Sequence, residues 1–137
     1  MSAQETAVLA ANDAFYEAFA ARDILTMDTL WALRAPVACI HPGWDVLHGR
    51  SRVMASWRAI LEGPSPPAVK ALRPSAHVFG DAAYVTCVEV LPNAKLIATN
   101  VFTLEGDAWK LVFHQAGPVA EQFNVGGDPT PPPEALN

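Results

Sequence analysis

An α+β fold is predicted, and three features of the sequence predict it. Helical periodicity runs to about Leu61, a turn-rich connector Gly63-Pro64-Ser65-Pro66-Pro67 follows, and the chain then reads as strands up to about Val119. Two Gly-Asp pairs, Gly80-Asp81 and Gly106-Asp107, separate strand-like runs where glycine supplies the positive φ of a two-residue hairpin turn. Helices first and an antiparallel meander afterwards make a curved sheet wrapped around helices.

The elements follow in order. Ser2 with Glu5 forms a capping box that starts a first helix, in which Val8, Ala11, Phe15, Ala18 and Phe19 recur at three- and four-residue spacing. Asp23 caps a short second helix with Ile24, Met27, Leu30 and Trp31 on one face, and Pro36 ends the helical region. Val37 to His41 is a short apolar strand broken by Pro42-Gly43 into a loop holding Trp44, Asp45 and His48. A third helix from about Ser51 to Leu61 shares Val53, Met54, Trp57, Ile60 and Leu61 on one face. Four strands are then expected: Val69 to Phe79, Ala82 to Leu91, Lys95 to Leu104 and Ala108 to Ala116. Pro74 places its strand at an edge or a bulge. The domain is expected over residues 1–120, with a Pro/Gly-rich tail at 121–137.

Composition narrows the classes of function. Of 137 residues, 51% are hydrophobic and 17% charged, which suits one compact domain with a real core. A net charge of −5 with nine scattered Lys and Arg argues against a nucleic-acid partner, since phosphate binding needs a clustered basic surface. No apolar run is long enough to span a membrane, and acidic Glu5, Asp13 and Glu17 stand where a secretory signal would be basic and then apolar, so a cytoplasmic protein is expected. Cys39 and Cys87 have no metal-ligand spacing and read as inert core thiols; no metal or cofactor is expected.

Strand parity sorts the sheet residues into two faces. Two-residue turns at Gly80-Asp81 and Gly106-Asp107, and a loop on Asn93-Ala94 that sets Leu91 opposite Leu96, put Val78, Val85, Cys87, Glu89, Ala98, Asn100, Phe102, Trp109, Leu111, Phe113 and Gln115 on one face. This face holds the bulk and should meet the helices, with Cys87 across from Asn100. His77, Tyr84, Thr86, Val88, Thr99, Val101, Thr103, Lys110, Val112 and His114 take the other face, too apolar to leave wet, so a homodimer built through it is expected.

Several phrases of the chain resemble the NTF2-like superfamily, and within it the SnoaL-like branch. They are Phe15-Tyr16, Phe19-Ala20-Ala21-Arg22-Asp23, Met27, Leu30-Trp31, Cys39-Ile40-His41-Pro42-Gly43-Trp44, His48-Gly49-Arg50 and Ser56-Trp57. Ala98-Thr99-Asn100-Val101-Phe102 and Trp109 through Pro118 complete the match, in order from about Ala7 to Val119. The resemblance implies a cone of three helices and curved sheet around a pocket, dimerised through the outer sheet face. Its members include isomerases, cyclases, dehydratases and non-catalytic modules, so it fixes no chemistry. Relatives often carry a second histidine just before the position of His114, where this chain has Phe113. No Tyr and acid pair of the steroid-isomerase kind is expected on the inner face, because Tyr84 points outward and Tyr16 comes from the first helix.

The candidate site follows from the inner face. Glu89 among apolar neighbours would have its pKa raised and could act as a general base; the alternative is a glutamate at the cone mouth paired with Lys95 or Arg73. Asn100 would either polarise a ligand oxygen or hold the neighbouring strand's backbone. His41 would exchange protons at the pocket rim or bond the Pro-Gly turn, and Asp45 is a further candidate base. Phe15, Phe19, Trp31, Trp44, Trp57, Phe102 and Phe113 would line the cavity, while Trp109 is core and His48 and His77 are surface residues. His114 falls outward by parity unless the sheet twists it inward. Three functions fit these residues: a cofactor-free acid/base enzyme on a small, largely apolar carbonyl compound, a non-catalytic domain binding a small apolar ligand, or a structural dimer with a filled core.

Overall fold

A computed structural model describes residues 1–120. The element order is α1 (Ala3–Ala21), α2 (Ile24–Leu30), β1 (Ala38–Ile40), β2 (Leu47–His48), α3 (Arg50–Leu61), β3 (Lys70–Phe79), β4 (Ala82–Leu91), β5 (Ala94–Glu105) and β6 (Ala108–Pro118). The expected tail at 121–137 lies outside the described residues.

Caps fix the helices where the sequence placed them. Ser2 and Glu5 exchange side-chain and backbone hydrogen bonds at the start of α1, and Asp23 accepts from Thr26 N at the start of α2. Arg22 closes α1 in the left-handed region at φ 58°, and its guanidinium donates to Leu61 O and Gly63 O, tying the end of α1 to the end of α3. Arg50, at the start of α3, donates to the Asp28, Trp31 and Ala32 carbonyls, which α2 leaves unpaired at its C-terminal end.

The six strands form one open sheet in the order β2-β1-β6-β5-β4-β3. α1 packs against β3, β4 and β6, and α3 against β1 and β2, so the helices share one face of the sheet. The two Gly-Asp turns are as expected: Phe79 faces Ala82 and Glu105 faces Ala108, with Gly80 and Gly106 at φ 64° and 63°. β3 is an edge strand, and its register shifts between Leu72 and Ser75 around Arg73-Pro74, where Arg73 has φ 55°. One pairing departs from a pure antiparallel meander, because β1 runs parallel to β6.

Two register expectations are corrected. Leu91 faces Ala94 rather than Leu96, so Cys87 faces Ala98 and Asn100 faces Val85. The shift is two residues, and every side chain of β4 and β5 therefore keeps its face. In β6 the error is one residue. Val101 faces Phe113 and Phe102 faces Leu111, leaving Val112 as an extra residue in a bulge. Beyond it the parity inverts. His114 and Ala116 turn inward and are buried, Gln115 is exposed, and Phe113 opposes outward-facing Val101 instead of lining the interior. The bulge lies where β6 changes neighbours on its other edge: Ala32 N bonds Leu111 O, and β1 pairs from Phe113 onward.

Candidate functional site

α1 brings four large side chains to the interior on one stripe. Asn12, Phe15, Tyr16 and Phe19 lie at three- and four-residue spacing on the buried face of the helix. Asn12 and Tyr16 meet Cys87 and Glu89 of β4 and Asn100 of β5, and Asn100 joins them to His114 of β6. The aromatic surround comes from Phe15, Phe19 and Trp57, whose rings contact one another at centroid distances of 5.0–6.1 Å. His114 packs against Phe15 and Trp57 at 5.1 and 5.8 Å.

The polar groups form one connected chain. Tyr16 OH donates to Glu89 Oε2 at 2.6 Å and accepts from Asn100 Nδ2 at 3.2 Å and from the Cys87 thiol at 3.3 Å. Asn100 Nδ2 also donates to Asn12 Oδ1 at 2.8 Å. Both N–H groups of Asn100 are thus engaged, and its Oδ1 can only accept. His114 Nδ1, 2.5 Å away, must therefore carry the ring proton. The lone pair of the neutral ring is left on Nε2, which lies 3.8 Å from Glu89 Oε2. Glu89 Oε1 has no hydrogen-bond partner among the described residues.

Burial sets the protonation states. Desolvation drives the His114 pKa down to about 3, with His41 adding to the effect, so its ring is neutral at pH 7. No cation of the cluster then balances Glu89. Burial raises the Glu89 pKa above its ordinary 4.5, and the hydrogen bond from Tyr16 offsets part of that rise. Tyr16 is pushed up by burial and by Glu89 beside it, so the phenol keeps its proton. Tyr16 and Glu89 thus bond to each other, a contact between α1 and β4 that strand parity alone does not reveal.

His41 makes a second, smaller arrangement against Trp57. Its Nε2 lies 2.8 Å from Ser56 Oγ, and the Ser56 hydroxyl donates to Val53 O, so His41 Nε2–H is the donor to Ser56. Trp57 and Trp44 rings pack on the imidazole at 4.8 and 4.9 Å. Burial lowers the His41 pKa to about 4 and raises that of the neighbouring Cys39 thiol to about 12.

The expected residues are therefore distributed as follows. Glu89, Asn100, Phe15, Phe19, Trp57 and His41 come together; Trp31 and Phe102 are buried in the same core. Trp44 is 46% exposed and covers His41 from outside. Phe113 belongs to the other face. Glu89 pairs with neither Lys95 nor Arg73 in the hydrogen bonds described; its partner is Tyr16. Asn12, Tyr16, His114 and Ser56 are additions, and for the first two a signal existed. Val8, Asn12, Phe15, Tyr16 and Phe19 form a continuous helical stripe, of which apolar periodicity picks out only some members. Among the described residues no group of three His, Cys, Asp or Glu side chains is placed to hold a metal ion. A separate open groove of about 490 Å³ between α2 and α3 is lined by Asp28, Arg50, Ser51, Met54, Ala55 and Arg58.

Comparison with known proteins agrees with this architecture. A family model described as a SnoaL-like domain matches residues 8–121. No curated protein sequence matches significantly. Among solved structures, one from Streptomyces avermitilis, named provisionally as a dehydratase of the NTF2-like family, is 35% identical with a TM-score of 0.79 over 85% of this chain and 96% of that one. A second, from Thiobacillus denitrificans, named provisionally as a calcium/calmodulin-dependent protein kinase type II association domain, is also 35% identical, with a TM-score of 0.69 over 81% of this chain and 94% of that one. An NTF2-like protein of unknown function from Pseudomonas putida shares the fold at 16% identity and a TM-score of 0.76, over 96% of this chain and 99% of that one. The chain belongs to the SnoaL-like family of the NTF2-like superfamily.

Proposed function

We propose that the protein is a cofactor-free acid/base enzyme that moves a proton on a small, largely apolar carbonyl compound bound between the helices and the sheet. The observation that carries this reading is Glu89: a buried carboxylate with one oxygen fixed by Tyr16 and the other without a partner, lying beside a neutral imidazole. In the proposed step Glu89 takes a proton from the carbon next to the carbonyl, and the electron pair of that C–H bond moves onto the carbonyl oxygen. Its raised pKa brings a carboxylate closer to the strength such a step requires near neutral pH. His114 Nε2, 3.8 Å from Glu89 Oε2, keeps a neutral base beside the carboxyl group. Asn100 has no free N–H with which to polarise a ligand oxygen, so its role is to hold Tyr16 and the His114 tautomer. His41, with Nε2–H engaged by Ser56, has Nδ1 as its acceptor nitrogen, 3.9 Å from the Cys39 thiol.

The test needs no natural substrate. 1-Indanone dissolved in D2O with the protein should exchange the protons beside its carbonyl, followed by NMR. Glu89→Gln should slow protein-catalysed exchange by roughly two to four orders of magnitude, the usual worth of general base catalysis. Exchange at the wild-type rate in that variant would remove Glu89 from the mechanism, and unchanged exchange in His41→Ala as well would leave the binding-domain reading ahead. That second reading draws support from the 35% identity to the protein named as an association domain. Both readings include a homodimer through the outer sheet face, supported by exposed Leu72, Phe79, Tyr84 and Ile97 on that side. Sedimentation as a monomer at micromolar concentration would reject the dimer. Among the described residues no helix is long and apolar enough to cross a membrane.

A further inference from the structure

A line of ring contacts runs from solvent toward Glu89. Trp44, half exposed, packs on the ring of His41 at 4.9 Å, and His41 packs on Trp57 at 4.8 Å. Trp57 in turn meets His114, whose Nε2 lies 3.8 Å from Glu89 Oε2. Every member of this line after Trp44 is buried. The other exposed aromatic side chains, Phe79 and Tyr84, contact each other and exposed His77. Among the described residues, Trp44 is thus the exposed ring that rests on a buried one, and lifting it would uncover His41.

Little besides that ring contact holds Trp44 down. It belongs to the loop that links β1 to β2, and both hydrogen bonds described for residues 42–46 are local: Trp44 N donates to His41 O, and Val46 N donates to the Asp45 carboxylate. Neither bond fastens the loop to a helix or to the sheet. Strand pairing resumes at Leu47, opposite Cys39, so the ladder survives a movement of the loop. Gly43 stands at φ 83°, a backbone conformation that a side chain disfavours, and a Cβ built there would meet nothing within 4 Å. The bend next to Trp44 therefore has open space in which to turn. We propose that residues 42–46 form a hinged cover that turns about Gly43, lifts Trp44 off His41 and opens the interior to water and small molecules. Opening costs the indole its contact with one imidazole and leaves the strands and the helix packing in place, so it occurs well below the free energy of global unfolding. The cover goes beyond the proton-transfer reading and stands if that reading fails.

The two buried thiols supply the readout. Cys39 Sγ lies 3.7 Å from His41 Nε2 and becomes reachable when the cover lifts, whereas Cys87, held against Tyr16 on β4, reports wider unfolding. Iodoacetamide is added in excess to the full chain, and the modification rate of each thiol is followed by peptide mass spectrometry. In the wild-type protein Cys39 should react faster than Cys87. Trp44→Ala removes the ring and should speed Cys39 at least about tenfold, while Trp44→Phe keeps a ring and should speed it less. Gly43→Ala leaves Trp44 in place and adds a Cβ that disfavours the closed backbone, so it should speed Cys39 about fivefold or more. Cys87 should stay within about twofold of its wild-type rate in Gly43→Ala. If Trp44→Ala speeds both thiols, Gly43→Ala decides: Cys39 rising alone upholds the cover, and both rising or neither rising overturns it. A wild-type Cys39 that reacts no faster than Cys87, or an unchanged Cys39 rate in Trp44→Ala, would also overturn it.

Discussion

Glu105 sits at the surface end of β5, where its carboxylate accepts backbone N–H groups from Leu33, Arg34 and Ala35 at 2.9–3.0 Å. Glu89, on the neighbouring strand, is buried with one hydrogen-bond donor among the described residues, the hydroxyl of Tyr16. The same side chain is pushed in opposite directions. The three backbone amides lower the Glu105 pKa, whereas burial raises that of Glu89. Glu105 is matched to its surroundings and fastens the segment between α2 and β1 to the sheet. Glu89 is underserved by its surroundings, which is the arrangement a proton-transfer group needs and a structural one avoids.

The largest effect should separate the two carboxylates in function. Glu89→Gln should reduce ketone proton exchange by roughly two to four orders of magnitude, while Glu105→Gln should leave the exchange rate within about twofold of wild type and instead lower Tm. Equal loss in both variants would mean that the fold, not the interior carboxylate, limits exchange.

Tyr16→Phe should come next. It removes the donor to Glu89 and strands Asn100 Nδ2 and the Cys87 thiol on one side, which should cost about 1–3 kcal/mol in denaturant unfolding. Because the Tyr16 hydrogen bond lowers the Glu89 pKa, its loss should move the exchange profile to higher pH. A profile moving to lower pH would contradict the network as described.

Acid should unfold the protein through its interior histidines. His41 and His114 have folded pKa values of about 4 and 3 against 6.5 in the unfolded chain, so stability should fall as pH drops below 6.5 toward those values. His114→Gln should remove about one proton from the slope of stability against pH near about pH 5, measured by urea melts. An unchanged slope would mean His114 is already charged or exposed. The smallest effect belongs to Glu105. Its lowered pKa supplies stability above 4.5 that is lost as pH falls further, and Glu105→Gln should flatten that last acid limb.

Much of this contrast was legible in the sequence. The capping residues Ser2, Glu5 and Asp23, the two Gly-Asp turns and the alternation of β4 and β5 are local signals, and they put Glu89 and Asn100 on the inner face. Even a loop misplaced by two residues left that assignment intact, because side-chain direction repeats every second residue. The bulge at Val112 has no local signal. It arises where β6 exchanges one neighbour for another, and its single extra residue carried His114 inward and Phe113 outward. Asn12 and Tyr16 were overlooked for a different reason: a stripe on a helix was read by its apolar members, although its polar members share the same direction. The partners of Glu105 lie some seventy residues earlier in the chain, beyond the reach of any periodicity.

The most direct test of the account is the titration of Glu89 itself, followed by NMR on protein labelled with 13C at the glutamate side-chain carboxyls and assigned through Glu89→Gln. The account predicts a midpoint above the ordinary 4.5, with the His114 ring remaining neutral through that transition. A Glu89 midpoint at or below 4.5, or a His114 ring protonated at neutral pH, would show a settled ion pair in place of a poised acid and would contradict it.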